Sequence, residues 1–305
     1  MKLYVECLPC IMRQAFETAQ QCTKDIAQQW AIVKETARLV SAANIEEPSP
    51  ALIGAMHELA RRLTGETDPY RELKAICNNA ALKLYPRLRN VVLSSDDPEE
   101  TAVRVAVAGN NIDYVANPHA ENIDLESVVN EALRAPIEKS VFQRFHEAVS
   151  NAHTILYLGD NAGEIVFDRL LIEQLPGEKI CYVVKGSPVV NDVTMEDAEM
   201  SGLNRIVEVI TNGSAMPGTV LRTCSEAFLK RFSQADLIIA KGQGNYESLE
   251  HVDQQIFFLF KAKCNVITHH LGCPVGTILV LDQTAKERLR GRTQGCQVAQ
   301  KGSEA

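Results

Sequence analysis

Over residues 1 to about 95 the apolar positions recur every three or four residues, as in the series Ile26, Trp30, Val33, Ala37 and Val40. That spacing predicts helix. EEPSP at 46–50 interrupts it, and Pro50 stands where a further helix can start and run through Leu52, Met56, Leu59 and Leu63. TGETDPY predicts a turn, RELKAICNNAALKLYPRL another helix, and SSDDPEE at 94–100 a polar break with helix-start chemistry. In the segment that follows, Val103, Val105 and Val107 alternate as in a strand. The alanines between them and DDPEE before them favour a helix ending at Gly109.

From about residue 150 the texture changes. TILYL at 154–158, KICYVV at 179–184, RIVEVI at 205–210, DLIIA at 236–240 and CNVIT at 264–268 read as strands. VFDRLLIEQL, TMEDAEMSGL, TVLRTCSEAFLKRF and YESLEHV between them read as helices. This alternation predicts an α/β fold with a mostly parallel sheet and helices on both faces. The expected division is a helical region over 1–98, an α/β domain over 99–290 and a loose polar tail over 291–305.

Composition narrows the classes. The chain has 305 residues, 46% of them hydrophobic, enough for a sizeable core. No apolar run approaches the ~20 residues that span a bilayer. MKLYVECLPC lacks the pattern of a signal peptide, so a soluble, cytoplasmic protein is expected. The net charge of -8, with Lys and Arg dispersed along the chain, argues against a nucleic-acid binder. Nine cysteines, an odd number, are expected to be mostly reduced thiols.

Ligands of an open parallel sheet bind beyond the carboxyl ends of its strands. Four successive strand ends lead into GDNAGE, KGSPVVND, TNGSAMPGT and KGQGN. Asp160, Asn161 and Asp192 offer two carboxylates and an amide carbonyl, donors that suit a hard divalent cation such as Mg²⁺ or Mn²⁺. Gly159, Gly163, Gly242 and Gly244 let backbone N–H groups approach an anion, and Lys185 and Lys241 complement phosphate charge. Together these describe metal-assisted phosphoryl transfer or hydrolysis. Singly they have plainer readings: Asp-Asn is more often a turn or an N-cap than a ligand, and Glu164 three residues after Asn161 fits a capping box.

Cys7-Leu8-Pro9-Cys10 is a lone CxxC, open between half a zinc site, a redox pair and buried structural thiols. His269 and His270 read as solvent-facing or satisfied. No GxSxG, HExxH or GxxxxGK[ST] occurs, which leaves serine-hydrolase, zincin and P-loop chemistry without support.

GDNAGEIVFD, KGSPVVNDVTMEDA, AKGQGNYESL and AGNNIDY, in this order and spacing, resemble the metal-dependent damage-control phosphatases, formerly domain of unknown function 89. YVECLPCIMRQA resembles a prokaryotic branch that carries a CxxC, and KCNVITHHLGCPVG the last strand and turn of that branch. The similarity runs from about residue 3 to 280. It implies a helical part packed on a three-layer αβα sandwich with a Rossmann-like sheet, and one divalent metal (Mn, Co, Ni or Mg) on Asp160, Asn161 and Asp192. It places Lys241, in the loop with Gly242, Gly244 and Asn245, against the phosphate, and brings Gly109, Asn110 and Asp113 near the site. Glu164 falls at the family's acidic position, and either it or Asp113 is expected to orient the nucleophile. The implied substrate is a small phosphorylated metabolite, a sugar phosphate or a damaged cofactor. Two alternatives stand beside it: an S-adenosylmethionine-dependent methyltransferase, an activity proposed for a eukaryotic branch of the family and compatible with a Rossmann-like sheet, and a non-catalytic phosphometabolite sensor that would bind through the same loops.

Overall fold

The computed structural model describes residues 1–109, 125–287 and 289, with side chains from 130 onward in the second stretch. The first part is helical: α1 (Cys7–Cys22), α2 (Ile26–Ser41), α3 (Ser49–Thr64), α4 (Arg71–Leu93), α5 (Pro98–Gly109), α6 (Leu125–Arg134) and α7 (Lys139–Asn151). Then come β1 (Ile155–Leu158), α8 (Glu164–Ile172), β2 (Ile180–Val184), α9 (Met195–Ser201), β3 (Glu208–Thr211), α10 (Glu226–Gln234), β4 (Leu237–Lys241), α11 (Gln243–Leu249), β5 (Ile256–Lys261), α12 (Asn265–Leu271) and β6 (Ile278–Leu281).

The strands form one sheet in the order β3-β2-β1-β4-β5-β6, parallel except for β6, which runs antiparallel to β5. Successive strand residues point to opposite faces, and the core divides accordingly. Tyr157, Tyr182, Ile239 and Leu259 join α4 to α8 in one cluster. Leu158, Val183, Ile238 and Phe258 join α10, α11 and α12 in the other. The expected three layers are therefore present. No helix among the described residues is long and apolar enough to cross a membrane.

Three details depart from the sequence reading. CNVIT is not a strand: residues 265–271 form α12, which buries Ile267, Thr268 and Leu271 and ends at Gly272 with φ 66°. The strand beside β4 is IFFLFK at 256–261, buried almost throughout, and ILVL at 278–281 adds the antiparallel edge. A short β-branched run does not by itself distinguish strand from buried helix, and the space next to β4 was already taken. Finally, α2 forms where its spacing predicts, capped by Asp25, whose Oδ1 accepts from Ala27 N at 2.8 Å. Yet Ile26 and Trp30 face outward, 73% and 72% exposed, while Ile32 and Thr36 pack inward.

Candidate active site

The strand order reverses direction between β1 and β4, which leaves a crevice beyond their carboxyl ends. GDNAGE leaves β1 and KGQGN leaves β4, so both open onto it. The loop after β2 folds back across them. Ala162 N donates to Asn191 O and Val193 N to Asp160 O, each at 2.9 Å, forming an isolated antiparallel bridge between Asn161 and Asp192. The adjacent Asp160 and Asn161 thus meet Asp192, 31 residues beyond Asn161, on one floor.

Negative charge accumulates there. Burial, with the carboxylates of Glu164 and Asp192, pushes Asp160 up to about 8, against the opposing charges of Lys263 and Lys185. Burial also raises Asp192, with Lys185 opposing. Asp192 Oδ2 lies 3.3 Å from Lys185 Nζ, but this buried oxygen has no properly directed hydrogen bond. Asn161 Nδ2 donates to Asp160 Oδ2 at 2.8 Å and to Glu164 Oε2 at 3.3 Å, which turns its carbonyl oxygen the other way. Among the described residues no three His, Cys, Asp or Glu side chains form a ready-made metal cluster. The set here is two carboxylates and an amide oxygen with an excess of negative charge, and it fits a hard cation.

Glycine is required at 242. Its φ is +80°, and a Cβ would overlap the Asp160 carboxylate. At the start of α8 the N-cap is Gly163, with φ 79° and no side-chain cap. The capping box read between Asn161 and Glu164 does not form, and Glu164 is instead the first helical residue.

Lys241 does not face the crevice. Its ammonium is fully buried and donates to Ala106 O at 3.0 Å and to Glu164 Oε1 and Asp168 Oδ1 at 2.5 Å each. Those bonds use all three of its N–H donors, so the expected phosphate contact is not made by this ammonium. Burial lowers the Lys241 pKa, but Asp168 and Glu164 outweigh it and the net shift is upward. Asp168, raised by burial to about 6 against the pull of Lys241, also accepts from Tyr157 and Tyr182 at 2.8 Å. Glu164 braces the site: one oxygen accepts from Lys241 and the other from Asn161.

Other expected residues divide likewise. Asn245 is fully buried and ties loops together, donating to Lys241 O at 2.7 Å and accepting from Thr219 Oγ1 at 2.7 Å, so it is no phosphate contact. Lys185 also donates to Gly218 O beside its pairing with Asp192. Gly109 serves packing, because a Cβ there would press on the Phe167 ring. Asn110 and Asp113 lie outside the described residues. His269 is exposed in the last turn of α12, and the His270 ring packs at 6.1 Å from Tyr246.

A cavity of about 710 Å³ opens above Asp160, Asn161 and Asp192, with Gly244 in its wall. Its roof comes from α1 and α3, including Cys7, Cys10, Ile11 and Ile53. Cys7 and Cys10 are free thiols, and burial raises the Cys7 pKa, which is the opposite of an activated thiol. Lys263, exposed at the carboxyl end of β5, lines the same cavity. The sequence reading missed it because β5 was missed; an apolar IFFLF run followed by KAK was the available signal. A second cavity of about 710 Å³ lies at the amino ends of the strands, where Arg231 and Glu208 pair with each other at 2.5 and 2.7 Å.

Residues 3–279 match the model of the damage-control phosphatase ARMT1-like domain, nearly the whole chain. This chain belongs to that family. It is 37% identical over 292 residues to an uncharacterized protein of Methanocaldococcus jannaschii, covering 92% of this chain and 95% of the relative. It is 33% identical over 286 residues to a damage-control phosphatase of Pyrococcus horikoshii, covering 92% and 98% of the two. The crystal structure of a family member from P. horikoshii superimposes with a TM-score of 0.83 at 31% identity, over 92% of this chain and 99% of the other. The expected family and fold are thereby established.

Proposed function

We propose that this damage-control phosphatase family member is a cytoplasmic, divalent-metal-dependent hydrolase of small phosphate monoesters, sugar phosphates or damaged phosphorylated metabolites. The observation that carries the reading is the bridge between Asn161 and Asp192, which sets two buried carboxylates and an amide oxygen side by side beneath an open cavity. In this reading Asp160, Asn161 and Asp192 hold the metal. When bound, a divalent cation there supplies positive charge to a phosphoryl oxygen and lowers the pKa of a coordinated water.

The chain's own groups do the rest. Lys263, on the cavity wall and near enough to oppose the rise at Asp160, meets the charge of the phosphoryl group. Lys185 neutralises Asp192 from beneath. Lys241 fixes Glu164, and Glu164 with Asp160 holds the Asn161 amide nitrogen, leaving its oxygen to the cation. The roof from α1 and α3 shapes the space for the body of the metabolite.

The test is release of inorganic phosphate from a panel of phosphorylated metabolites by protein reconstituted with Mg²⁺, Mn²⁺, Co²⁺ or Ni²⁺. Turnover of at least one monoester with a metal, and none after chelation, is expected. Stabilisation by phosphorylated ligands without turnover under any metal would assign a sensor instead.

A further inference from the structure

We infer that Asn78, a residue of the N-terminal helical region, is a positioning residue for the metal site. The inference rests on the reading that Asp160, Asn161 and Asp192 hold a cation. Asn78 lies on α4, fully buried and outside the cavity-lining residues. Its Oδ1 accepts from Gly163 N at 2.6 Å, and its Nδ2 donates to Asp197 Oδ1 at 2.8 Å. One amide thereby uses its acceptor on the loop after β1 and a donor on the helix after β2.

Both attachment points stand close to the proposed ligands. Gly163 is two residues beyond Asn161, and its left-handed backbone packs on Cys77, where a Cβ would sit 3.1 Å from the Cys77 Cβ. Asp197 closes the capping box of α9: its Oδ2 accepts from Thr194 N at 2.8 Å and Thr194 Oγ1 at 2.7 Å. Thr194 is two residues beyond Asp192. The backbone bridge between Asn161 and Asp192 pairs the two loops on the cavity side, and Asn78 joins them on the buried side. Two attachments restrict rotation of one loop against the other, which a single isolated bridge does not. Loss of a side chain that hydrogen-bonds a ligand directly typically weakens metal binding about ten- to a hundredfold; Asn78 acts one link further out, through Gly163 N and Asp197, so its loss falls at the lower end of that range.

The experiment is calorimetric titration of Mn²⁺ into wild type, Asn78→Leu, Asn78→Asp and Asp192→Ala, with thermal melting of each metal-free protein. Asn78→Leu removes both hydrogen bonds, and Asn78→Asp keeps an acceptor for Gly163 N while setting a carboxylate against Asp197. The expected result is Mn²⁺ binding weakened about tenfold in Asn78→Leu, with a smaller loss in Asn78→Asp. KM for p-nitrophenyl phosphate at saturating Mn²⁺ stays at the wild-type value. Should Asn78→Leu fail to fold, Asn78→Asp carries the comparison. A lowered melting temperature with wild-type Mn²⁺ affinity in the folded Asn78 variants overturns the inference, because it makes Asn78 a packing residue only. Asp192→Ala separates the two levels. If it loses Mn²⁺ binding while the Asn78 variants keep theirs, the inference about Asn78 fails alone; if it too binds as wild type, the metal-site reading fails first.

Discussion

The Cα of Gly242 faces the carboxylate of Asp160 so closely that no side chain fits between them. The end of β4 is thereby a template for the first residue of the GDN loop after β1.

Gly242→Ala is therefore expected to displace Asp160. A misplacement near 1 Å costs on the order of a hundredfold in rate. Phosphatase activity should fall by about that factor while circular dichroism still reports a folded chain. Wild-type activity in this variant would remove the close approach from the account.

Lys241 gives a prediction that separates two roles. It sits buried between Glu164 and Asp168, and removing it leaves two buried carboxylates without a cation. Breaking such a pair destabilises by roughly 3–5 kcal/mol. Urea unfolding of Lys241→Met should show a loss of that order without any ligand. A residue serving only as a phosphate contact would leave unfolding unchanged and raise KM.

Lys263 predicts the reverse. Its side chain is exposed on the cavity wall, so Lys263→Met should unfold like wild type. Losing its charge opposite the phosphoryl group should lower kcat/KM by about ten- to a hundredfold. Steady-state kinetics with two unrelated phosphate monoesters checks this, and both should be affected alike.

His57 predicts a pH dependence of stability. Burial, aided by Arg61, lowers its pKa from 6.5 to about 4. The unfolded chain therefore binds more protons between those values, so the contribution is fully present above pH 6.5 and is lost as pH falls toward 4. The full difference amounts to about 3 kcal/mol. Urea titrations of wild type and His57→Leu at about pH 7 and pH 4.5 should show wild type losing roughly 2–3 kcal/mol more on acidification. Equal losses would mean that His57 is protonated in the folded state.

Much of the sheet was legible because β1, β2 and β4 are short apolar runs followed by glycine-containing loops, and the joint occurrence of those loops located the crevice. That Asp160, Asn161 and Asp192 come together was legible for the same reason: their loops follow the neighbouring strands β1 and β2. What was not legible depended on direction rather than type. Lys241 and Asn245 have the residue types of phosphate ligands, but β4 turns the lysine to the face of α5 and α8, where it meets Asp168. Asn78 sits among helical residues with no local signal, and its function depends on partners 85 and 119 positions away. Lys263 was hidden by the wrong assignment of a single strand.

The most direct measurement of the central claim is hydrolysis of p-nitrophenyl phosphate by chelated and Mn²⁺-reconstituted protein, for wild type and Asp192→Ala side by side. The account predicts that chelated wild type is inactive, that Mn²⁺ restores it, and that Asp192→Ala stays inactive at the Mn²⁺ concentration that saturates wild type. Full activity of Asp192→Ala in metal-depleted buffer would contradict it.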